Sequence, residues 1–285
     1  MKTNRLTDKS IMKSLLKNHT SALTSYDLLK TLAVVLMIID HLGVYFYPED
    51  QWLRVFGRMC VPIWFFLIGY ARARDIPKIM WIGGAVLAFS AFVAGQAVVP
   101  LPILFTLAAV RFLIDPVMGR ALRTPQTLVG MFFVLFFLSL HSAAVFEYGT
   151  LGLLLAMYGF ICRHRTQIAL SKWALRIFTS AVFWAFIAHQ IFLMEALTGG
   201  QVQVMVGGSA LVFIILNYFS PREYAGFPKY AGVLKPVFYI LGRWTLEVYV
   251  LHLLFFRGLS LALAPDRFGF LQGDIMSPAA LGLFM

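Results

Sequence analysis

The stretch LLKTLAVVLMIIDHLGVYF, residues 28–46, decides the fold of this chain. It is almost uninterruptedly apolar, and about 20 such residues in a helix cross the hydrocarbon core of a bilayer. Asp40 and His41 lie inside it. Because ionisable side chains are costly at membrane depth, they mark functional sites by default. The stretch therefore predicts a membrane-spanning helix that carries a candidate functional pair.

The whole chain of 285 residues has the composition of a membrane protein. It is 60% hydrophobic and 13% charged, and its mean hydropathy is +0.79. Apolar runs of roughly spanning length recur along it. We predict spans at residues 28–47, 55–72, 79–97, 101–115, 127–146, 148–162, 174–196, 202–219 and 236–262. The expected fold is all-α: a polytopic transmembrane helical bundle of about nine to ten spans.

The distribution of Lys and Arg predicts the orientation of this bundle. Loops rich in Lys and Arg alternate with loops that have almost none, and the N-terminal tail is basic. Basic loops stay in the cytoplasm, so we expect a cytoplasmic N-terminus. The same rule accounts for the excess of 24 Lys and Arg over 13 Asp and Glu, and no nucleic-acid partner is expected. We divide the chain into a basic cytoplasmic tail (1–27), a membrane domain (28–262) and a C-terminal tail (263–285).

Polar groups of three predicted spans lie at comparable depth. At about 1.5 Å per residue, His41 lies about 16 Å, Arg58 about 21 Å, Glu247 about 18 Å and His252 about 25 Å from the cytoplasmic end of its span. Such convergence predicts one buried polar cavity. Neighbouring residues point about 100° apart on a helix, so Asp40 is expected to pair with Arg58 rather than with His41.

Structural roles are the alternatives for these residues. Asp40 and His41 would then be a hydrogen-bonded pair that holds helices together, and Arg58 would be an anchor near the outer face. Thr245, Tyr249 and His252 share one face of the last span by their spacing. Two cysteines near opposite ends of predicted spans predict neither a disulfide nor a metal site.

One motif runs through the segment from Asp27 to Gly69, and shorter motifs follow as far as about residue 262. Their residues are Asp27–Thr31, Leu36–His41, Gly57, Arg58, Pro62, Gly69, Ile103–Phe105, Tyr148, Gly149, Gly152–Leu154, Tyr249, His252 and Leu253. With these residues the chain resembles the TraX family, whose founding activity is N-terminal acetylation of conjugative F-type pilin. The early His with a late Tyr-x-x-His also looks like membrane acyltransferases that modify envelope glycans.

The resemblance implies an integral acetyltransferase of the bacterial cytoplasmic (inner) membrane that uses acetyl-CoA. Asp40, His41, Arg58 and His252 are then the candidate catalytic residues. His41 is the base or a transient acetyl carrier, and Arg58 stabilises the oxyanion or orients Asp40. Membrane lipids and a pilin or envelope glycan acceptor are the other expected partners. For the CoA phosphates we expect guanidinium groups of the cytoplasmic loops, namely Arg72, Arg74, Arg120, Arg123, Arg163 and Arg165.

Other functions stay open at this point. Buried Asp, His and Glu also build the proton relays of transporters, although no internal repeat typical of transporter folds is visible. A glycan O-acetyltransferase and a non-catalytic partner of an envelope assembly are further alternatives. A site at Tyr249 and His252, with His41 structural, is the fallback within the enzyme hypothesis.

Overall fold

A computed structural model describes residues 22–194, 197–224, 234–264 and 275. Two short strands, β1 (Leu23–Thr24) and β2 (Glu223–Tyr224), pair in antiparallel fashion. The helices of the described part are α1 (Ser25–Phe46), α2 (Gln51–Gly57), α3 (Cys60–Tyr70), α4 (Lys78–Val93), α5 (Ile103–Ala121), α6 (Pro125–Ala143), α7 (Gly149–His164), α8 (Lys172–Leu193), α9 (Gly199–Asn217), α10 (Lys235–Arg243) and α11 (Thr245–Leu263). Most of both predicted tails lies outside the described residues.

The prediction of an all-α fold is confirmed, and the helices are consistent with a helical membrane protein. Among the described residues, six helical segments, one of which joins α2 and α3, are long and apolar enough to cross a membrane by length and composition. They are Ser25–Phe46, Gln51–Tyr70, Pro125–Ala143, Lys172–Leu193, Gly199–Asn217 and Thr245–Leu263. Large apolar side chains cover their outer surface, and Phe137 is 68% exposed. Each predicted span coincides with a helix or a pair of helices, while nine crossings and a cytoplasmic N-terminus stay predictions.

The first helix begins three residues before its predicted start because of a capping box. The Thr24 hydroxyl accepts a hydrogen bond from the Asp27 amide at 3.2 Å, and the Asp27 carboxylate accepts one from the Thr24 amide at 2.9 Å. This reciprocal pair satisfies two amides that a helix N-terminus otherwise leaves without partners. The Asp27 carboxylate therefore has a structural role, the capping of the N-terminus of α1.

Helix α7 is the centre of the bundle, and it packs most closely on α3. A Cβ at Gly69 would lie 2.6 Å from the Ala156 carbonyl carbon, and a Cβ at Gly159 would lie 2.9 Å from that of Phe66. Only glycine permits such backbone contact between helices. The contact makes α3 and α7 a rigid wall beside the candidate site.

The two ends of the bundle differ in character. At one end, Arg163 Nη1 donates to the Tyr70 carbonyl at 2.8 Å and Arg165 Nη2 to the Asn217 carbonyl at 2.9 Å. We call this the basic end. At the opposite end, the loops before α5 and α7 pair through Leu101, which donates to the Val145 carbonyl at 2.8 Å. Helix α1 runs from the basic end to the opposite end.

Candidate active site

The close crossing of α1 and α2 places two arginines beside Asp40. A Cβ at Gly57 would lie 2.5 Å from the Asp40 backbone nitrogen, so the helices can touch only because residue 57 is glycine. Arg58 Nε lies 3.4 Å and Arg54 Nε 3.5 Å from Asp40 Oδ1, and the Asp40 side chain is 9% exposed. The predicted pairing of Asp40 with Arg58 is confirmed. The second partner, Arg54, was not predicted.

Arg58 also connects α2 to the start of α7. Its Nη1 donates a hydrogen bond to the Tyr148 hydroxyl, and its guanidinium carbon lies 5.5 Å from the centre of the Tyr148 ring. Tyr148 has a φ of 66°, in the left-handed region that aromatic residues rarely adopt. Backbone strain of this kind persists where the surrounding structure holds it, often at functional sites.

His41 and His252 form a direct contact between α1 and α11. His41 Nδ1 lies 2.8 Å from His252 Nε2, and His252 Nδ1 lies 2.9 Å from the Val248 carbonyl oxygen. Because a carbonyl only accepts, His252 Nδ1 carries a hydrogen, and its Nε2 accepts from His41 Nδ1–H when both rings are neutral. His41 Nε2 is therefore left without a hydrogen and has a free lone pair.

A carboxylate at the opposite end completes the polar cluster. The Glu147 Oε2 atom accepts a hydrogen bond from the Ile103 amide at 2.9 Å, and Thr106 Oγ1 donates to the Glu147 carbonyl at 2.8 Å. Enclosure by the surrounding helices raises the pKa of the Glu147 carboxyl, and the positive charge of Arg58 opposes this effect. These contacts fix the loop from which Tyr148 extends.

Two cavities meet at this cluster. The narrow cavity, of about 50 Å³, extends from it toward the basic end between apolar side chains that include Met37, Trp64, Leu104 and Leu107. The wide cavity, of about 370 Å³, lies toward the opposite end and is lined by polar and apolar groups, including Arg54, Gln96, Val98 and Arg257. The residues shared by both are Asp40, His41, Glu147, Tyr148 and Tyr249.

Three of the four predicted catalytic residues thus lie on the cavity walls, and the fourth supports one of them. Asp40 and His41 line both cavities and Arg58 lines the wide one. His252 contacts His41 and completes the predicted convergence. Glu247, which the depth argument grouped with them, is not among the residues that line either cavity.

The six arginines predicted to bind phosphate lie at or near the basic end, where several are held by the protein itself. Arg74 Nε donates to both Asp115 carboxylate oxygens at 3.0 Å. Arg120 donates to the Pro116 carbonyl at 3.0 Å, while Arg163 and Arg165 join helix ends. Arg72 and Arg123 are exposed.

A different set of cations lies above the narrow cavity at the basic end. The charge of Lys30 is attracted by Asp27 and repelled by Arg111 and Arg243, and Arg243 also pairs with Asp27, Nη2 to Oδ2, at 3.6 Å. Lys30 occupies the same face of α1 as Met37 and His41, seven and eleven residues later. The buried Nε of Arg111 has no hydrogen-bond partner within the described ranges.

The sequence analysis did not identify the cations Lys30, Arg111 and Arg243 as a group. It also did not predict functional roles for Glu147, Tyr148 and Arg257. Lys30 had a usable signal, because it lies eleven residues before His41 and hence on the same helix face. Arg257 also had a usable signal, because it is one of two arginines, with Arg243, inside the last predicted span, 236–262, and ionisable groups at membrane depth indicate function. Glu147 lies in a loop between predicted spans and had none. Tyr148, the first residue of the predicted span 148–162, had a signal only through the resemblance to the TraX family.

The cluster combines the elements of base catalysis with donors for a developing negative charge. His41 Nε2 is a free base at the junction of two cavities. The Tyr148 hydroxyl accepts from Arg58, so its own hydrogen is free to be donated. The fold and this cluster define a helical membrane protein with a buried, polar, two-sided site.

The comparisons with known proteins identify the group to which it belongs. The family model described as TraX protein matches residues 25–260, and the chain belongs to the TraX family. It is 32% identical to the uncharacterized protein RP591 of Rickettsia prowazekii (strain Madrid E) over 182 residues, which cover 60% of this chain and 70% of that protein. It is 31% identical to Protein TraX of Escherichia coli over 75 residues, 24% of this chain and 30% of that protein. No solved structure matches.

Proposed function

We propose that the protein is an integral membrane acetyltransferase, which moves an acetyl group from cytoplasmic acetyl-CoA to an amine or hydroxyl of an acceptor. The observation that carries the proposal is the lone pair of His41 Nε2, which hydrogen bonding through His252 leaves free where two cavities meet. A nucleophile that arrives through one cavity and a thioester that arrives through the other would meet at this atom.

The reaction follows from the residues around the junction. His41 Nε2 takes the proton of the acceptor amine or hydroxyl as its nitrogen or oxygen forms a bond to the acetyl carbon. The Tyr148 hydroxyl, polarised by Arg58, donates to the carbonyl oxygen as it becomes negative. The carbon–sulfur bond then breaks, and the CoA sulfur leaves with the proton that His41 had taken.

Asp40 and Glu147 have supporting roles in this mechanism. Asp40 lies 3.4 Å from Arg58 Nε and offsets the charge of a guanidinium that would otherwise be buried alone. Glu147 fixes the loop of Tyr148 through Ile103 and Thr106. Both keep the donor hydroxyl and the base in one geometry, which matters because small misplacements cost large factors in rate.

The donor would enter from the basic end. The narrow cavity has apolar walls, which suit the acetyl group and the slender arm that carries it. Lys30 and Arg111 would hold the CoA phosphates, since Arg111 Nε is a buried donor with no hydrogen-bond partner among the described residues. With the N-terminus in the cytoplasm and nine crossings, this end faces the cytoplasm of a bacterial cell and the wide cavity faces the outside.

The acceptor would be the N-terminus of a pilin-like protein or an envelope glycan. Membership of the TraX family supports a role connected with conjugation. Either acceptor offers the nucleophile that the mechanism needs, an amine in the first case and a hydroxyl in the second. Both would approach through the wide cavity.

The test is acetyl transfer by the full-length protein in proteoliposomes. We expect release of free CoA thiol from acetyl-CoA when glycinamide or methyl glucoside is present as a small amine or hydroxyl acceptor. His41→Ala should lower the rate by roughly 10²–10⁴-fold. The control is His141→Ala, because His141 is exposed at the end of α6. Equal rates for His41→Ala and the unaltered protein would contradict the proposal.

A proton-coupled transporter is the second candidate function, because the two cavities lie on either side of a buried Asp40 and a half-buried Glu147. Such carboxylates also relay protons across membranes. The same proteoliposomes separate the two functions. A flux of protons driven by a pH gradient, without acetyl-CoA and without thiol release, would favour the transporter.

A further inference from the structure

Arg257 of α11 enters the wide cavity and is held in place by neutral groups. Its Nε donates to the Tyr45 hydroxyl at 2.9 Å and to Gln96 Oε1 at 3.2 Å. Its Nη1 donates to the Leu87 carbonyl at 2.6 Å and to Ser90 Oγ at 2.5 Å. Four acceptors from α1, α4 and the loop after α4 thus fix the plane of the guanidinium.

The remaining nitrogen of this guanidinium has no protein partner in the described part of the chain. None of the hydrogen bonds made by Arg257 there involves Nη2, and Nη2 is not among the buried atoms without partners. The side chain lines the wide cavity. Nη2 therefore presents its two N–H donors to the cavity space.

The charges that the described residues bring to the wide cavity are not balanced. In the described part of the chain, its walls carry three arginines, Arg54, Arg58 and Arg257, and two carboxyl groups, Asp40 and Glu147. Asp40 is in contact with two of those arginines. Glu147 acts on Arg257 only at longer range, since no carboxylate of the described residues lies within salt-bridge distance of it. Among these described residues, one positive charge is left over when both acids are ionised.

A fixed cation that presents free N–H donors to a large, partly polar cavity is an arrangement that binds anions. Guanidinium groups match the oxygens of carboxylates and phosphates in shape and charge. Arg257 is half-buried, and a guanidinium that is partly withdrawn from water without an ionic partner is less favourable than a paired one. An anionic ligand would supply the missing partner. Arg54, whose only ionic contact in the described residues is with Asp40, lies on the same cavity wall.

We propose that the wide cavity contains an oxyanion-binding subsite centred on Arg257, which takes a carboxylate or phosphate group carried by the acceptor. As a statement about the acceptor this rests on the proposed function, whereas binding of the oxyanion does not require catalysis. The subsite lies on the side of the His41 junction away from the narrow cavity. It would therefore orient an acceptor whose nucleophile points toward His41 Nε2.

The test measures ligand-induced thermal stabilisation of the full-length protein in detergent, with propyl phosphate, butyrate and uncharged propanol as probes. We expect the two anions to raise the Tm and propanol to leave it unchanged. The stronger anion identifies phosphate or carboxylate as the natural group. Arg257→Gln should weaken binding by roughly tenfold to a hundredfold, and Arg257→Lys should retain part of it. Arg176→Gln is the matched control, because Arg176 is exposed on α8.

A second pair of variants tests the subsite without altering Arg257. Val98 lines the wide cavity, and Val98→Glu would place a carboxylate of the protein within it, whereas Val98→Gln would place a neutral side chain of similar size. The subsite is supported if Val98→Glu loses the anion-induced rise in Tm while Val98→Gln keeps it, and this result stands even if Arg257→Gln fails to fold. The subsite is overturned if Val98→Glu and Val98→Gln show the same rise in Tm. It is also overturned if Arg257→Gln shows the same rise as the unaltered protein. An unaltered protein that ignores both anions likewise overturns it.

The stabilisation by acetyl-CoA, measured in the same assay, separates this inference from the proposed function. Arg257→Gln should respond to acetyl-CoA as the unaltered protein does. If acetyl-CoA has no effect on any variant while the anions act through Arg257, the acetyltransferase proposal fails and the subsite stands.

Discussion

His41 Nδ1 and His252 Nε2 lie 2.8 Å apart, although 211 positions separate the two residues in the sequence. The contact gives each ring a defined role, because the Val248 carbonyl holds the hydrogen of His252 on Nδ1. His252 then fixes the tautomer of His41 in the way that a carboxylate orients a catalytic imidazole. It is a positioning residue for the proposed base.

The first prediction concerns this positioning. His252→Ala should lower kcat for acetyl transfer on the order of tenfold or more, because it removes the acceptor that keeps the hydrogen of His41 on Nδ1. His252→Gln should restore much of the rate, since its side-chain oxygen can accept the same hydrogen. The measurement is the rate of thiol release. A glutamine variant as slow as the alanine variant would show that His252 does not act through this hydrogen bond.

The second prediction concerns the Tyr148 hydroxyl. Tyr148→Phe should lower kcat by roughly 10²–10³-fold while KM for acetyl-CoA changes little, because only the donor to the developing oxyanion is lost. Tyr158→Phe is the control, since the Tyr158 hydroxyl is engaged with the Phe213 carbonyl at 2.8 Å, away from both cavities. A rise in KM without a fall in kcat would instead assign Tyr148 to substrate binding.

The sequence predicted the class of fold, the catalytic candidates and one of their contacts. Spans and depth can be read from local hydropathy and helical rise, and they brought Asp40, His41, Arg58 and His252 to one level. The contact between His41 and His252 needed the packing of α1 against α11, which no local pattern encodes. Tyr148 was among the residues of the resemblance but not among the catalytic candidates, because its left-handed backbone and its contact with Arg58 depend on how the loops meet.

The predicted phosphate-binding arginines illustrate the same limit. The position of these arginines at the basic end followed from the predicted topology. The carboxylates and carbonyls that accept their hydrogen bonds depend on how the helix ends meet, which the sequence does not show. Arg74, for example, is bound by Asp115 from α5. Lys30 was predicted to lie near the start of the first span and within the matching segment Asp27–Thr31, but it was given no role in phosphate binding, although its helix face is that of His41.

The third prediction distinguishes Lys30 and Arg111 from the arginines first proposed. Lys30→Gln or Arg111→Gln should raise KM for acetyl-CoA by roughly tenfold, because each removes a charged hydrogen bond to phosphate. Neither should alter transfer from S-acetylpantetheine, which lacks the nucleotide phosphates. The comparison variant is Arg120→Gln. If it raises KM more than Lys30→Gln does, the phosphates bind at the loop arginines instead.

The fourth prediction concerns the crossing of α1 and α2, on which the position of Arg58 depends. A Cβ at Gly57 would lie 2.5 Å from the Asp40 backbone nitrogen, so Gly57→Ala must push the helices apart. We expect a loss of about 1–3 kcal/mol in the free energy of unfolding, together with a fall in kcat as Arg58 and Asp40 separate.

Gly207→Ala is the matched control, because a Cβ at Gly207 on α9 meets nothing within 4 Å. Its alanine should be neutral or slightly stabilising through helix propensity. Thermal unfolding in detergent and thiol release measure the two effects. Equal stability and equal rate for both alanine variants would show that the helices tolerate the added methyl group and that their contact does not position Arg58.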